Sequence, residues 1–299
     1  MAKIGRFRND AARTRFMRAY EALEAQWPIA STLRDIETSF GSTHVRQSGS
    51  GTGTPLVLLH PVGGNSLYWR NIIEALAGDR IVYALDTIGT AGRSVQTAPV
   101  RSEADLARWL DEVLGALGVE RAHVLGYSHG AWHATLFALR TPGRLASLTL
   151  IEPGGVFVKP SWSVLLKMLR VGMRPTDRNM RRMQEWLTPG ITMSETEWDM
   201  AMAVFRGFRM GLGWARLLKD AELHAITTPT LVIFGGESVS GDAEAAARQA
   251  RRLPNSEVEI YPGIGHGILD QIPGTIVPRV LDFIEKYEAV PAQPTNGAK

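Results

Sequence analysis

Short apolar runs alternate with amphipathic stretches along most of the chain, and this alternation predicts an α/β fold. Continuous apolar runs indicate buried strands, whereas apolar residues spaced three and four apart indicate helices. Strands are predicted at residues 56–59, 81–86, 122–126, 147–151, 230–234 and 257–261. Helices are predicted between them at residues 66–77, 104–117, 130–140, 242–252 and 275–287. Strands that alternate with helices form a mostly parallel sheet wound by right-handed crossovers.

The alternation stops once, between residues 155 and 222, where no convincing strand pattern is present. We therefore predict a helical cap, residues 155–222, inserted into a core made of residues 1–154 and 223–289. Within the core, residues 1–30 are predicted to form a helical arm, because apolar residues recur at helical spacing before Trp27 and Pro28. Residues 290–299 are rich in Pro, Ala and polar residues and are predicted to be disordered.

Composition limits the class of protein. The chain has 299 residues, 44% of them apolar, and can bury a large core, while a net charge of +3 is too small to indicate a nucleic-acid partner. The absence of cysteine excludes a disulfide scaffold, a Cys nucleophile and thiolate metal sites. We find neither a signal-peptide pattern nor an apolar run of membrane-spanning length. We expect a cytoplasmic protein with a small-molecule substrate, no metal, no cofactor and no membrane partner; the oligomeric state stays open.

Ser128 is the candidate nucleophile. It lies in Gly126-Tyr127-Ser128-His129-Gly130, a G-x-S-x-G pattern between a predicted strand and a predicted helix. A serine on such a sharp strand-to-helix turn is exposed at the edge of the sheet, and the glycines are needed because side chains there would collide with neighbouring backbone. The alternative is a glycine-rich turn with an idle serine, and the strand–turn–helix context argues against it.

His266 is the candidate general base. It lies in Gly263-Ile264-Gly265-His266-Gly267, directly after the last predicted strand. Parallel sheets gather their sites at the carboxyl ends of the strands, so His266 is expected at the same edge as Ser128. A lone loop histidine is usually structural, and we assign that role to the others; His129 and His133 are expected to line the pocket or to pack.

Together these residues resemble the α/β-hydrolase superfamily, from about residue 40 to residue 287, and most closely its small capped bacterial carboxylesterases. The resemblance extends to Trp27-Pro28, Phe40-Gly41, Pro55-Leu56-Val57-Leu58-Leu59-His60, Asp86-Thr87-Ile88-Gly89 and Leu117-Gly118-Val119-Glu120. It implies ester hydrolysis through an acyl-enzyme without a cofactor, but no particular substrate. It also implies an oxyanion hole formed by the backbone N–H groups of Val62 and His129.

The chain departs from the family pattern in three places. Pro61 stands where glycine is usual, and the glycine spacing after Asp86 is irregular. The third departure concerns the acid of the triad, because the family position after strand 230–234 is occupied by Ser238.

Two carboxylates are candidates for the missing acid. Glu237 lies one residue before the family position, whereas Glu152 ends strand 147–151 and resembles the glutamate that haloalkane dehalogenases use there. The alternatives are Asp242 or a Ser128–His266 dyad with no acid.

The predicted cap adds a hint about the substrate. It holds eight of the ten methionines and four of the eight tryptophans, side chains that build adaptable apolar pockets but also ordinary helix cores. Residues 159–222 contain eleven Lys or Arg against seven Asp or Glu, compatible with an acidic substrate or with a solvated face.

Three functions compete at this point. They are a hydrolase for a carboxylic ester or lactone of a medium-sized apolar molecule, a non-hydrolytic enzyme (lyase, cyclase, acyl transfer or C–C bond formation) in a natural-product pathway, and a receptor or other protein without catalysis.

Overall fold

The computed structural model describes residues 3–288, apart from the side chains of residues 163 and 172. The tail predicted at residues 290–299 lies outside the described residues. The strands, in chain order, are β1 (Arg6–Phe7), β2 (Ser31–Thr38), β3 (Gly41–Ser48), β4 (Gly53–Leu59), β5 (Arg80–Leu85), β6 (Val95–Gln96), β7 (Ala122–Tyr127), β8 (Leu145–Ile151), β9 (Phe208–Arg209), β10 (Thr230–Gly235) and β11 (Ser256–Tyr261).

Helices connect most of these strands. In chain order they are α1 (Asp10–Glu24), α2 (Ile73–Leu76), α3 (Glu103–Ala116), α4 (His129–Arg140), α5 (Trp162–Met173), α6 (Asp177–Leu187), α7 (Glu195–Gly207), α8 (Asp220–Ala225), α9 (Ala243–Ala250), α10 (Ile268–Gln271) and α11 (Pro273–Glu285), with 3-10 turns at Ser66–Asn71 and Pro142–Arg144. Among residues 3–288, no helix is long and apolar enough to cross a bilayer.

A nine-stranded sheet forms the centre of the protein, in the order β11-β10-β8-β7-β4-β5-β3-β2, with β6 paired to β3. The six strands from β11 to β5 are parallel, and β2, β3 and β6 are antiparallel to their neighbours. The mostly parallel sheet expected from the sequence is therefore confirmed.

Apolar cores lie on both faces of this sheet. Along β4, Val57 and Leu59 belong to one buried cluster, whereas Leu56 and Leu58 belong to another. Alternate residues of a strand point to opposite faces, so two layers of helices cover the sheet. Burial on both faces explains why the central strands are continuous apolar runs rather than alternating ones.

The N-terminal arm is a helix, as expected, but it also contributes a strand. Asn9 caps α1 by accepting from the Ala12 N–H, and Phe16, Tyr20 and Leu23 are fully buried. Before the helix, β1 pairs antiparallel with β9, which lies within the segment predicted to be wholly helical. Two-residue strands carry no alternation of their own, which is why the pattern did not indicate this pair.

The helix predicted at residues 66–77 is also corrected. It begins as the 3-10 turn Ser66–Asn71, capped by Asn65, and continues as α2 after Ile72. The backbone of Ile72, with φ of −127°, is not helical and interrupts the run. Between β8 and β10 the chain leaves the sheet and forms α5 to α8. We call residues 155–222 the cap segment.

Candidate functional site

Ser128 is the single residue between β7 and α4, and its backbone has a conformation that residues other than glycine rarely adopt. Its φ is 53° and its N–H donates to the Ile151 carbonyl at 2.9 Å. The two flanking glycines are required by space: a Cβ on Gly126 would lie 2.4 Å from the Gly130 oxygen, and one on Gly130 would lie 2.0 Å from the Leu59 oxygen. The turn is therefore held by close backbone packing against β4, which stores strain at the serine.

His266 reaches Ser128 from the loop after β11. Its Nε2 atom lies 3.1 Å from Ser128 Oγ, within hydrogen-bonding distance. Tyr127 supports the histidine twice, because its hydroxyl donates to the His266 carbonyl oxygen and its ring stacks on the imidazole, with centroids 5.8 Å apart. The structure thus brings together the two residues that the sequence singled out from opposite ends of the core.

Glu152 lies on the other side of the imidazole. Its Oε2 atom accepts from His266 Nδ1 at 2.7 Å, and the residue is only 1% exposed. Like Ser128, Glu152 has a positive φ, of 51°, in a non-glycine residue. Its carboxylate also accepts from the Gly235 N–H at 2.5 Å and from the Ser238 hydroxyl. Several donors therefore compensate for burying this carboxylate.

Glu237, the other candidate acid, does not meet His266. Its side chain is exposed, and its N–H donates to the Ile264 carbonyl at 2.9 Å. After β10 the chain forms a turn in which the Ser238 N–H donates to the Gly235 oxygen at 3.2 Å. This turn directs Ser238, and not Glu237, toward Glu152. Asp242, the further alternative, caps α9 by accepting from the Ala245 N–H at 2.9 Å.

Two serines near the acid were missed as site residues. Ser238, noted in the sequence only as the family's acid position, donates to Glu152 instead of replacing it. Ser240 Oγ lies 2.8 Å from His266 Nδ1 and 3.5 Å from Glu152 Oε2. Ser238 could have been found from its register, whereas Ser240 carries no local sequence signal.

The Val62 and His129 N–H groups, expected from the sequence to form an oxyanion hole, are not used inside the fold of residues 3–288. Within the described part of the chain, neither the Val62 N–H nor the His129 N–H has a hydrogen-bond acceptor. Pro61 fits because the loop closes as a turn, with the Gly64 N–H donating to the Pro61 oxygen at 3.0 Å and Gly63 at a φ of 78°.

Three buried histidines lie near one another beside Ser128, and burial lowers the pKa of each. Burial lowers the pKa of His60, whose Nε2 accepts from the Thr87 N–H at 3.1 Å. Burial also lowers the pKa of His129 to about 4, with Nε2 2.9 Å from the Gly213 oxygen. His133 packs edge-on against His129, and burial holds its pKa well below the ordinary value. Burial therefore disfavours the charged form of all three.

A cavity of about 450 Å³ lies between the loop of residues 61–64 and the cap segment. Apolar side chains from both parts form most of its wall: Leu67, Met180, Met183, Leu187, Ile191, Met193, Met200, Trp198, Phe205 and Leu269. Arg70 is the one Lys or Arg among its described lining residues, and it is paired with Glu197. The excess of basic residues in residues 159–222 therefore does not line this cavity.

The described residues offer no obvious place for a metal. Among residues 3–288, no group of three or more His, Asp or Glu side chains is arranged to hold one.

The chain is similar to bacterial carboxylesterases. Residues 54–184 match the α/β-hydrolase fold family. Carboxylesterase YbfK of Bacillus subtilis is 30% identical over 286 residues, which cover 90% of this chain and 93% of the relative. The crystal structure of B. subtilis carboxylesterase CesB (YbfK) superposes with a TM-score of 0.85 at 28% identity, covering 92% of this chain and 98% of that one. B. subtilis naproxen esterase also gives 0.85, at 26% identity, covering 91% and 98%.

Proposed function

This chain belongs to the α/β-hydrolase family, among the carboxylesterases, and from that membership we propose that Ser128 cleaves carboxylic esters through an acyl-enzyme. One observation carries the proposal: a continuous line of hydrogen bonds runs from Ser128 Oγ through both nitrogens of His266 to Glu152, with distances of 3.1 Å and 2.7 Å. A serine hydroxyl is a weak nucleophile, and a base within hydrogen-bonding reach is what makes it reactive.

The first half of the reaction acylates the serine. His266 Nε2 takes the hydroxyl proton while Ser128 Oγ attacks the ester carbonyl carbon. The Val62 and His129 N–H groups donate to the resulting oxyanion, since both lack another acceptor among the described residues. When the tetrahedral intermediate collapses, the C–O bond breaks and His266 returns the proton to the leaving alcohol. A water molecule then attacks the acyl-enzyme by the same route and releases the acid.

Glu152 is the acid of the proposed triad. Its carboxylate keeps the Nδ1 proton of His266 in place and stabilises the imidazolium that forms during attack. The donors from Gly235 and Ser238 orient the carboxylate, so Ser238 is a positioning residue.

Two departures from the family pattern, Pro61 and the irregular acid position, favoured non-hydrolytic chemistry. The contact of Glu152 with His266 and the turn that Pro61 closes with Gly64 support hydrolysis instead.

We propose that the acyl part of the substrate enters the cavity between residues 61–64 and the cap segment, because Val62, a proposed oxyanion donor, belongs to its lining. A volume of about 450 Å³ with a mainly apolar wall suits an ester of a medium-sized, uncharged molecule. We propose that the cap segment serves as the pocket wall, because α6 and α7 supply Met183, Leu187 and Trp198 to the lining.

The test is a panel of p-nitrophenyl esters of increasing acyl length combined with a fluorophosphonate probe. We expect turnover of medium acyl chains and covalent labelling of wild-type protein, with both lost in Ser128→Ala. Labelling retained in Ser128→Ala would refute the assignment of the nucleophile. Labelling of Ser128 without turnover of any ester would instead indicate non-hydrolytic chemistry at the same site.

A further inference from the structure

Helix α5 carries an exposed apolar stripe that no described element covers. Its residues follow helical spacings of three and four, which place them on one face. They are between 42% and 81% exposed: Trp162, Leu165, Leu166, Leu169 and Met173. The packed side of α5 is a different one, where Val164 is buried and Val171 contacts the cluster of Met180, Trp198 and Met202. The stripe is thus a surface feature and not part of the core.

The stripe lies in a strongly basic part of the sequence. Residues 159–182 contain seven Lys or Arg and a single acid, Asp177, which already accepts from Arg206 at 3.3 Å. Arg170 and Arg174 are exposed, and their side chains form no ion pair with any described residue. Arg170 and Arg174 therefore lie beside the apolar stripe, and neither is among the described residues that line the cavity.

We propose that α5 docks the protein on an anionic lipid surface. A helix with Trp and Leu on one face and Lys and Arg beside it lies in the interfacial plane, where its apolar side enters the acyl boundary and its cations meet the head groups. Lying on a bilayer differs from crossing it, so this contact is compatible with the absence of a spanning helix among the described residues. The proposal departs from the sequence-based expectation of no membrane partner.

A second copy of the chain fits the same surface less well. In a two-fold dimer the same patch meets itself, so Arg170 and Arg174 would face an identical pair of cations. Juxtaposed like charges disfavour such an interface, whereas anionic head groups neutralise the patch.

The position of α5 suggests what the docking achieves. Lys167 of α5 lies over the Trp186 ring of α6 at 3.7 Å, and α6 supplies Met183 and Leu187 to the cavity wall. A lipid surface that holds α5 therefore lies next to the cap side of the cavity. Delivery of apolar esters from that surface rests on the proposed function, whereas the docking itself does not.

The test measures co-sedimentation of the full chain with vesicles. One set contains equal parts of phosphatidylglycerol and phosphatidylcholine, and the other contains phosphatidylcholine alone. We expect binding to the anionic set at least about tenfold tighter, because each basic residue near an anionic surface contributes a factor of roughly five. The preference should fall at about 1 M salt, where charges are screened beyond a few ångströms.

Paired variants locate the surface. Leu166→Glu/Leu169→Glu and Arg170→Glu/Arg174→Glu should each weaken anionic-vesicle binding at least about tenfold. The matched control, Leu33→Glu/Val95→Glu, makes the same change at two exposed apolar side chains of β2 and β6 and should bind like wild type. Melting temperature and turnover of a short soluble ester, measured without vesicles, verify that each variant is folded.

Four outcomes would overturn the proposal. They are no binding to anionic vesicles, equal binding to both vesicle sets, equal loss in the control variant, and light scattering that shows a wild-type dimer dispersed by Leu166→Glu/Leu169→Glu. The last would assign the stripe to an interface between copies. Because vesicle binding is read without turnover, failure here leaves the proposed esterase function standing, and loss of turnover in Ser128→Ala leaves the docking standing.

Discussion

The sheet edge that carries Ser128 and the cap segment differ in how tightly the surrounding structure constrains them. At the edge, Ser128 and Glu152 both have positive φ values, and close backbone contacts around Gly126 and Gly130 leave the chain no alternative. In the cap segment, α5 is exposed on most of its surface. Strained residues cost about 1–3 kcal/mol each and persist only where the surrounding packing over-determines them.

The comparison separates two kinds of functional constraint. At the sheet edge the reacting atoms must be held within fractions of an ångström, so the positions of β4, β7, β8 and β11 fix the site. In the cap segment, where we propose a pocket wall and a docking surface, a moderate change of side chain should alter selectivity or docking without unfolding the protein. Substitutions in the two regions should therefore differ in size and in kind.

The largest effect is expected at the triad itself. Ser128→Ala and His266→Ala should each lower kcat by about 10⁶-fold, and the double variant should be no worse, because triad members act as a unit. Steady-state kinetics on the best p-nitrophenyl ester measure this. If the two losses multiplied, His266 would act elsewhere than on Ser128, and the 3.1 Å contact between them would have no catalytic meaning.

The next effect concerns the buried acid. Glu152→Gln should lower kcat by about four orders of magnitude, whereas Glu237→Gln, its exposed counterpart, should change it less than about tenfold. The sharper experiment moves the acid: Ser238→Asp in the Glu152→Gln background places a carboxylate at the family position. We expect kcat of the double variant to be at least about tenfold higher than that of Glu152→Gln alone, because the acid acts by orienting His266. Equal effects of Glu152→Gln and Glu237→Gln would contradict the assignment.

Much of the fold could be predicted from the sequence because its signals are local. Apolar runs gave β4, β7, β8 and β10, and glycine spacing located the turn at Ser128. Strand order also implied that Ser128 and His266 meet, since the carboxyl ends of parallel strands share one edge.

The remaining features depend on contacts between distant segments. Glu152 and Glu237 both follow sheet strands, and only the path of the turn after β10 decides which one faces His266. Likewise, the methionine-rich composition of the cap segment cannot show that Met183 lines the cavity while Met168 faces outward, because this depends on how α5 and α6 are rotated.

A smaller effect, on stability, distinguishes core from cap segment. Trp109 is fully buried and its Nε1 donates to Thr43 Oγ1 at 2.8 Å, whereas Trp162 is 81% exposed. Trp109→Ala should lower the free energy of unfolding by about 3–5 kcal/mol. Trp162→Ala should change it by no more than about 0.5 kcal/mol. Urea denaturation measures both, and a large loss in Trp162→Ala would mean that α5 is part of a packed core after all.

The smallest expected effect is a change of acyl-chain selectivity without a loss of stability. Met183 lines the cavity from α6, while Met168 on α5 is 42% exposed and does not contribute to its described lining. Met183→Ala enlarges the cavity and should shift the preference toward longer acyl chains. For each added methylene, the ratio of kcat/KM for the longer ester to that for the shorter one should rise by no more than the equivalent of roughly 1–3 kcal/mol. Met168→Ala is the matched control and should leave the chain-length profile unchanged. The profile is measured with p-nitrophenyl esters of increasing length, and an identical profile in Met183→Ala would mean that this part of the cap segment does not contact the acyl chain.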